Sequence, residues 1–155
     1  MMALYILVSA LVMSEIIPSK EVAQYLLEQT GNAIMAGDFD TYLKSIYLPH
    51  VMETFHGRQV IETSEDARRV FEAMCTYLKS RGITQMVRHC SEACYQDNGT
   101  IASTHETRLL TENNILAQMP YLGLATLFCE NGRWKVGSMQ YAIEDSPRHS
   151  MALLS

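Results

Sequence analysis

A chain of 155 residues is long enough to bury one core without disulfide or metal staples. Its 48% apolar and 19% charged residues exclude an intrinsically disordered chain. Twelve Lys and Arg against 17 Asp and Glu give a net charge of −5, and no basic run exceeds two residues. That excludes the electrostatic footprint of a nucleic-acid or anionic-membrane binder.

Residues 2–13 form an apolar run too short to span a bilayer, with no Lys or Arg before Lys20. The run reads as lying upstream of a natural start at Met13. A packed N-terminal extension and a targeting segment are the alternatives. The organisation expected is therefore an extension over 1–13, one domain over 14–145 and a tail over 146–155.

A first helix is expected from Ser19, read as an N-cap after Pro18. Val22, Leu26, Ala33 and Ile34 repeat at helical spacing. Gly37 closes it as a C′ residue. Asp38 caps a short second helix carrying Phe39, Tyr42, Leu43 and Ile46, which Pro49 stops. Val51 to Phe55 reads as a short strand before a turn at His56-Gly57. Thr63 and Asp66 open a third helix as a capping box, and Gly82 closes it. Ala67, Val70, Phe71, Met74 and Leu78 form its apolar stripe.

Gln85 to Ile143 then reads as four long strands. Asp97-Asn98-Gly99-Thr100 and Glu130-Asn131-Gly132-Arg133 place Asn-Gly between alternating runs, the signature of a two-residue type I′ hairpin. Glu112-Asn113-Asn114-Ile115 gives a weaker turn. Helices segregated to one side of such a meander make an α+β domain. The four cysteines read as small buried hydrophobes in a reducing, cytoplasmic setting. Cys90 and Cys94, about 13 Å apart on one strand, are too distant for a disulfide.

Two-residue turns fix the register, so shared faces follow. One face collects Arg88, Cys90, Glu92, His105, Thr107, Leu122, Thr126, Met139 and Tyr141. The other collects Tyr121, Ala125, Leu127, Trp134 and Val136. A bulge near Pro120 would invert part of this assignment, because proline cannot donate to the ladder. In this register Glu92 and His105 stand opposite each other, with Cβ atoms about 5 Å apart. A carboxylate beside an imidazole raises its pKa or orients it as a general base. The alternative is a polar pair satisfying itself at a rim. Nothing in the spacing of the histidines suggests a metal site, and no cofactor motif is present.

Ala36-Gly37-Asp38-Phe39-Asp40, Phe55-His56-Gly57 and Asn131-Gly132-Arg133-Trp134-Lys135-Val136 occur in an order and spacing that resembles the NTF2-like (SnoaL-like) family over Ser19 to Ile143. The resemblance implies a cone of three N-terminal helices packed in a curved antiparallel sheet, with an apolar pocket for a small apolar or amphipathic ligand. It is uninformative about chemistry, since the family includes isomerases, cyclases, dehydratases and pure binding domains. Similarity of Lys135 to Met139 to the last strand of ketosteroid isomerase, a family member, puts Met139 and Thr126 on the pocket side. The same alignment sets Thr30, Thr54 and Thr126 where that enzyme carries a tyrosine and two acids, so its mechanism does not carry over. His56 falls near the expected pocket mouth. The resulting expectation is a homodimer buried through the Trp134 face, with a pocket lined by Thr30, Thr54, His56, Arg88, Cys90, Thr107, Leu122, Thr126, Met139 and Tyr141. It is either a non-catalytic ligand-binding domain or a SnoaL-type lyase, isomerase or cyclase using His105 and Glu92.

Overall fold

The computed structural model describes residues 16–155; the apolar run over 1–13 lies outside them. Helix α1 (Ser19–Ala36) buries Val22, Ala23, Leu26, Leu27, Thr30, Ala33 and Ile34 on one side, the stripe an amphipathic helix presents to a core. Ser19 is its first residue rather than its cap. The Ser19 hydroxyl donates to the Ala93 carbonyl at 3.0 Å, which ties the helix start to the sheet. Gly37 ends α1 at φ 69°, a left-handed conformation that glycine adopts without a Cβ penalty. Asp38 caps α2 (Phe39–Ser45) by accepting from the Thr41 amide at 3.2 Å. Helix α3 (Ser64–Ser80) starts from the reciprocal Thr63–Asp66 capping box.

Six strands form one sheet: β1 (Ile46–Thr54), β2 (Gly57–Ile61), β3 (Ile83–Tyr95), β4 (Ile101–Thr111), β5 (Tyr121–Glu130) and β6 (Arg133–Tyr141). Their spatial order is β2-β1-β6-β5-β4-β3. Every neighbouring pair is antiparallel except β1 and β6, which run parallel. Pro49 does not stop a helix. It lies inside β1, within the stretch where the register against β6 shifts. Strand β2 is not legible in the sequence, because Gly57-Arg58-Gln59-Val60-Ile61 is short and mostly polar. The tail carries a fourth helix, α4 (Pro147–Leu153), which packs on α3 and buries His149, Ser150 and Leu153.

Three turns decide which side chains face inward. Asn131 and Gly132 form the expected two-residue turn, with φ of 52° and 76° between paired Glu130 and Arg133. The turn at Asn98-Gly99 is longer: Gln96 pairs with Thr100, and only Gly99 has positive φ. A second irregularity between Cys90 and Glu92 brings Cys90, not Glu92, opposite His105, and leaves Glu92 opposite Thr104 on the exposed side. Asn113 and Asn114 do adopt positive φ, but residues beyond Ala117 loop out before β5 begins. Strand β5 is thereby inverted. Tyr121, Gly123, Ala125 and Leu127 are buried, while Leu122 and Leu124 are exposed.

The same inversion moves the expected dimer surface. Trp134 is half-buried against the core, on the side where α1 and α2 lie, and its ring meets Tyr95 at 5.9 Å. It is not on the free face of the sheet. Two of the cysteines also differ from expectation. All four are free thiols, but Cys94 and Cys129 are exposed.

Candidate functional site

The interior between helices and sheet is built around Arg88, which projects from β3 and is 8% exposed. Gly31 of α1 leaves room for it: a Cβ there would press on the Arg88 stem. Its Nη1 donates to Thr30 Oγ1 at 2.9 Å, and its Nη2 donates to the Tyr141 hydroxyl at 2.9 Å. Thr30 in turn donates its own proton to the Leu26 carbonyl at 2.8 Å, so a lone pair faces the guanidinium. Arg88 Nε has no partner. Outside, the Gln24 amide of α1 donates to the Arg88 carbonyl at 3.0 Å and accepts from the Cys90 amide at 2.8 Å.

A cavity of about 20 Å³ adjoins this cluster, room for about one water. Thr30, Tyr42, His50, Arg88 and Tyr141 supply its polar wall, and Met52, Met74 and Met139 much of its apolar wall. All of these residues are buried. The expected pocket is therefore small, and its largely apolar wall carries five polar side chains. His50 Nδ1 donates to the Val136 carbonyl at 2.9 Å, which fixes the tautomer and leaves Nε2 as an acceptor. Burial pushes the His50 pKa down to about 4 and raises the Tyr42 phenol.

His105 lies deeper, fully buried, with both ring nitrogens unpartnered. It faces Gly123 directly across the β4–β5 ladder, and its ring fills the space where a Cβ of residue 123 would stand. The ring meets Tyr141 edge to face at 6.2 Å. Burial, and then the charge of Arg88, push its pKa down to about 3. The expectation of an imidazole raised by a carboxylate is overturned, because a β-bulge carries Glu92 out of reach. His105 is a neutral ring with no acid beside it.

The other sequence-derived residues divide accordingly. Thr30, Arg88, Met139 and Tyr141 meet at the cavity. Cys90 and Thr107 are buried beside His105, with the Thr107 hydroxyl unpartnered. Leu122 and Thr126 lie on the outer face with Glu92. Thr54 ends β1, where its hydroxyl accepts from the His56 amide at 3.1 Å, and His56 is exposed. His50 and Tyr42 are the site residues that sequence reasoning misses. The period-2 run Ile46, Leu48, His50, Met52 would place His50 inward, were Pro49 not read as a stop.

A second buried polar group sits where α4 docks. Tyr77 donates to Gln118 Oε1 at 2.8 Å, and the Gln118 amide nitrogen contacts His149 Nδ1 at 3.1 Å. The His149 ring stacks on Tyr77 at 4.8 Å, and burial pushes its pKa down to about 4. Among the described residues, no three His, Cys, Asp or Glu side chains converge to hold a metal, and no helix is long and apolar enough to cross a membrane.

No family profile and no curated protein matches the chain. Its architecture does match solved structures. One is an NTF2-like protein with a cystatin-like fold from Novosphingobium aromaticivorans, with TM-score 0.64 and 13% identity over 96% of this chain and 95% of that one. Another is a cystatin-like fold protein of unknown function from Nostoc punctiforme, with TM-score 0.62 and 16% identity over 83% and 91%. A third is a putative ketosteroid isomerase from Shewanella frigidimarina, with TM-score 0.57 and 15% identity over 78% and 94%. The chain has the NTF2-like cone fold, an α+β domain with helices laid against a curved sheet.

Proposed function

We propose that this protein is a non-catalytic ligand-binding domain that takes a small molecule into the cone beside Arg88 and Tyr141. The observation that carries this reading is a buried set of polar groups that point at one another but lack an acid–base pair. The three buried histidines are held neutral, and no carboxylate is buried among the described residues. General acid–base work at neutral pH needs a group whose pKa lies near 7, and the interior offers none. The lyase or isomerase alternative loses its dyad with the displacement of Glu92. The methionines that line the cavity have the soft, adaptable side chains that let a wall yield to a guest. A fragment screen read on methionine methyl resonances tests the reading. Saturable shifts at Met52, Met74 and Met139 are expected; a screen that moves none of them counts against it.

The domain is also proposed to pair with a second copy, through the outer face of β4, β5 and β6 rather than through Trp134. Leu122 and Leu124 are each more than half exposed there, beside Phe55 at 67%, around an apolar depression of about 460 Å³. Adjacent exposed apolar side chains on a sheet face that no described helix covers suit pairing with a second copy. Sedimentation should give a dimer at micromolar concentration and a monomer for Leu124→Glu. A monomeric wild type would refute this.

A further inference from the structure

We propose that the ligand of this cone is a small organic monocarboxylate, held by the guanidinium of Arg88. This rests on the ligand-binding reading above and names the chemical class.

Arg88 is the only Lys or Arg buried among the described residues, and no Asp or Glu is buried with it. None of the ion pairs among them includes it. Its two hydrogen-bond acceptors, the Thr30 and Tyr141 hydroxyls, are dipoles and leave its charge uncancelled. Its Nε–H is unpartnered. A guanidinium presents donors in a planar fork that matches a carboxylate, and a buried cation without an anion is costly. Arg88, Thr30 and Tyr141 all line the same cavity. The groups around it add no negative charge: His50 and His105 are neutral, and burial keeps the Tyr42 and Tyr121 phenols protonated. One negative charge is what the site lacks.

The remaining wall narrows the class. His50 Nε2 offers a lone pair, which disfavours a second anionic group. Ile34, Ile46, Val136 and the three methionines suit a short hydrocarbon tail. The cavity holds about one water as it stands, so the guest is small and enters as methionine side chains change rotamer.

Acetate and propionate are the probes, with acetamide and propionamide as neutral counterparts of the same shape, at ionic strength matched with sodium chloride. The expected result is a saturable shift of the Met52, Met74 and Met139 methyl resonances with the acids, at least tenfold weaker with the amides. Arg88→Met should abolish the response to the acids. If that variant fails to fold, Tyr141→Phe keeps the packing and should weaken acid binding severalfold. Equal responses to acids and amides would overturn the carboxylate and leave the binding domain standing. The carboxylate falls in the same way if acids and amides are silent while another fragment shifts these methyls. Silence from every compound would overturn both.

Discussion

Gly123 and His105 show how much one missing side chain can decide. The imidazole occupies the volume that any larger residue at 123 would claim. Gly123→Ala should therefore destabilise the fold by about 1–3 kcal/mol, the usual cost of overpacking. In the double variant with His105→Ala the ring is gone and the methyl has room. Urea denaturation of the four proteins should find the double variant more stable than the sum of the two single losses. Simple additivity would mean the ring is not against Gly123. Nothing in the sequence marks this pair. Gly123 sits in a strand whose expected register turns it the other way, and a lone glycine in a strand gives no partner's name.

At the scale of elements, α1 closes one side of the sheet. β3 is an edge strand, and Gln24 satisfies two of its outward backbone groups, the Arg88 carbonyl and the Cys90 amide. Gln24→Leu should cost about 1–3 kcal/mol by leaving them unpaired and should speed hydrogen exchange at the Cys90 amide. Unchanged exchange there would mean that water replaces the side chain at no penalty. Elements of this kind are largely legible in the sequence: Gly37, the Thr63–Asp66 box and the Asn131-Gly132 turn each impose a local geometry, and each stands where its residues imply. The site is half legible. Arg88 and His105 fall on the inward face as their alternation implies, and Tyr141 joins them because a register shift near Gly137 in β6 undoes the inversion of β5. Glu92, Leu122 and Thr126 do not, since one extra residue at Ser91 or in the loop before Tyr121 reverses everything beyond it. A bulge of that kind is decided by tertiary packing, and no residue type announces it.

For the whole molecule, three neutral histidines make stability depend on pH. His50, His105 and His149 have native pKa values of about 4, 3 and 4. Unfolded, each takes a proton near 6.5. Below that pH the unfolded chain binds more protons than the native one, so stability falls as pH falls and is fully present only above about 6.5. The slope approaches about 1.4 kcal/mol per pH unit for each histidine. Tm should drop steeply from pH 6.5 to 4.5, and His50→Gln should remove about a third of the slope. A flat profile would show that these rings are solvated.

The parallel pairing of β1 with β6 carries a further consequence. β1 sits in the interior of the sheet, yet one of its two neighbours is β6, the last of the described strands in sequence order. Without β6 in place, β1 has a strand on one side alone, and β5 likewise lacks a neighbour. Such edges recruit strands from other chains. The sheet is thus completed only by a pairing distant in sequence, when β6 enters between β1 and β5, and such non-local closure is what slows folding.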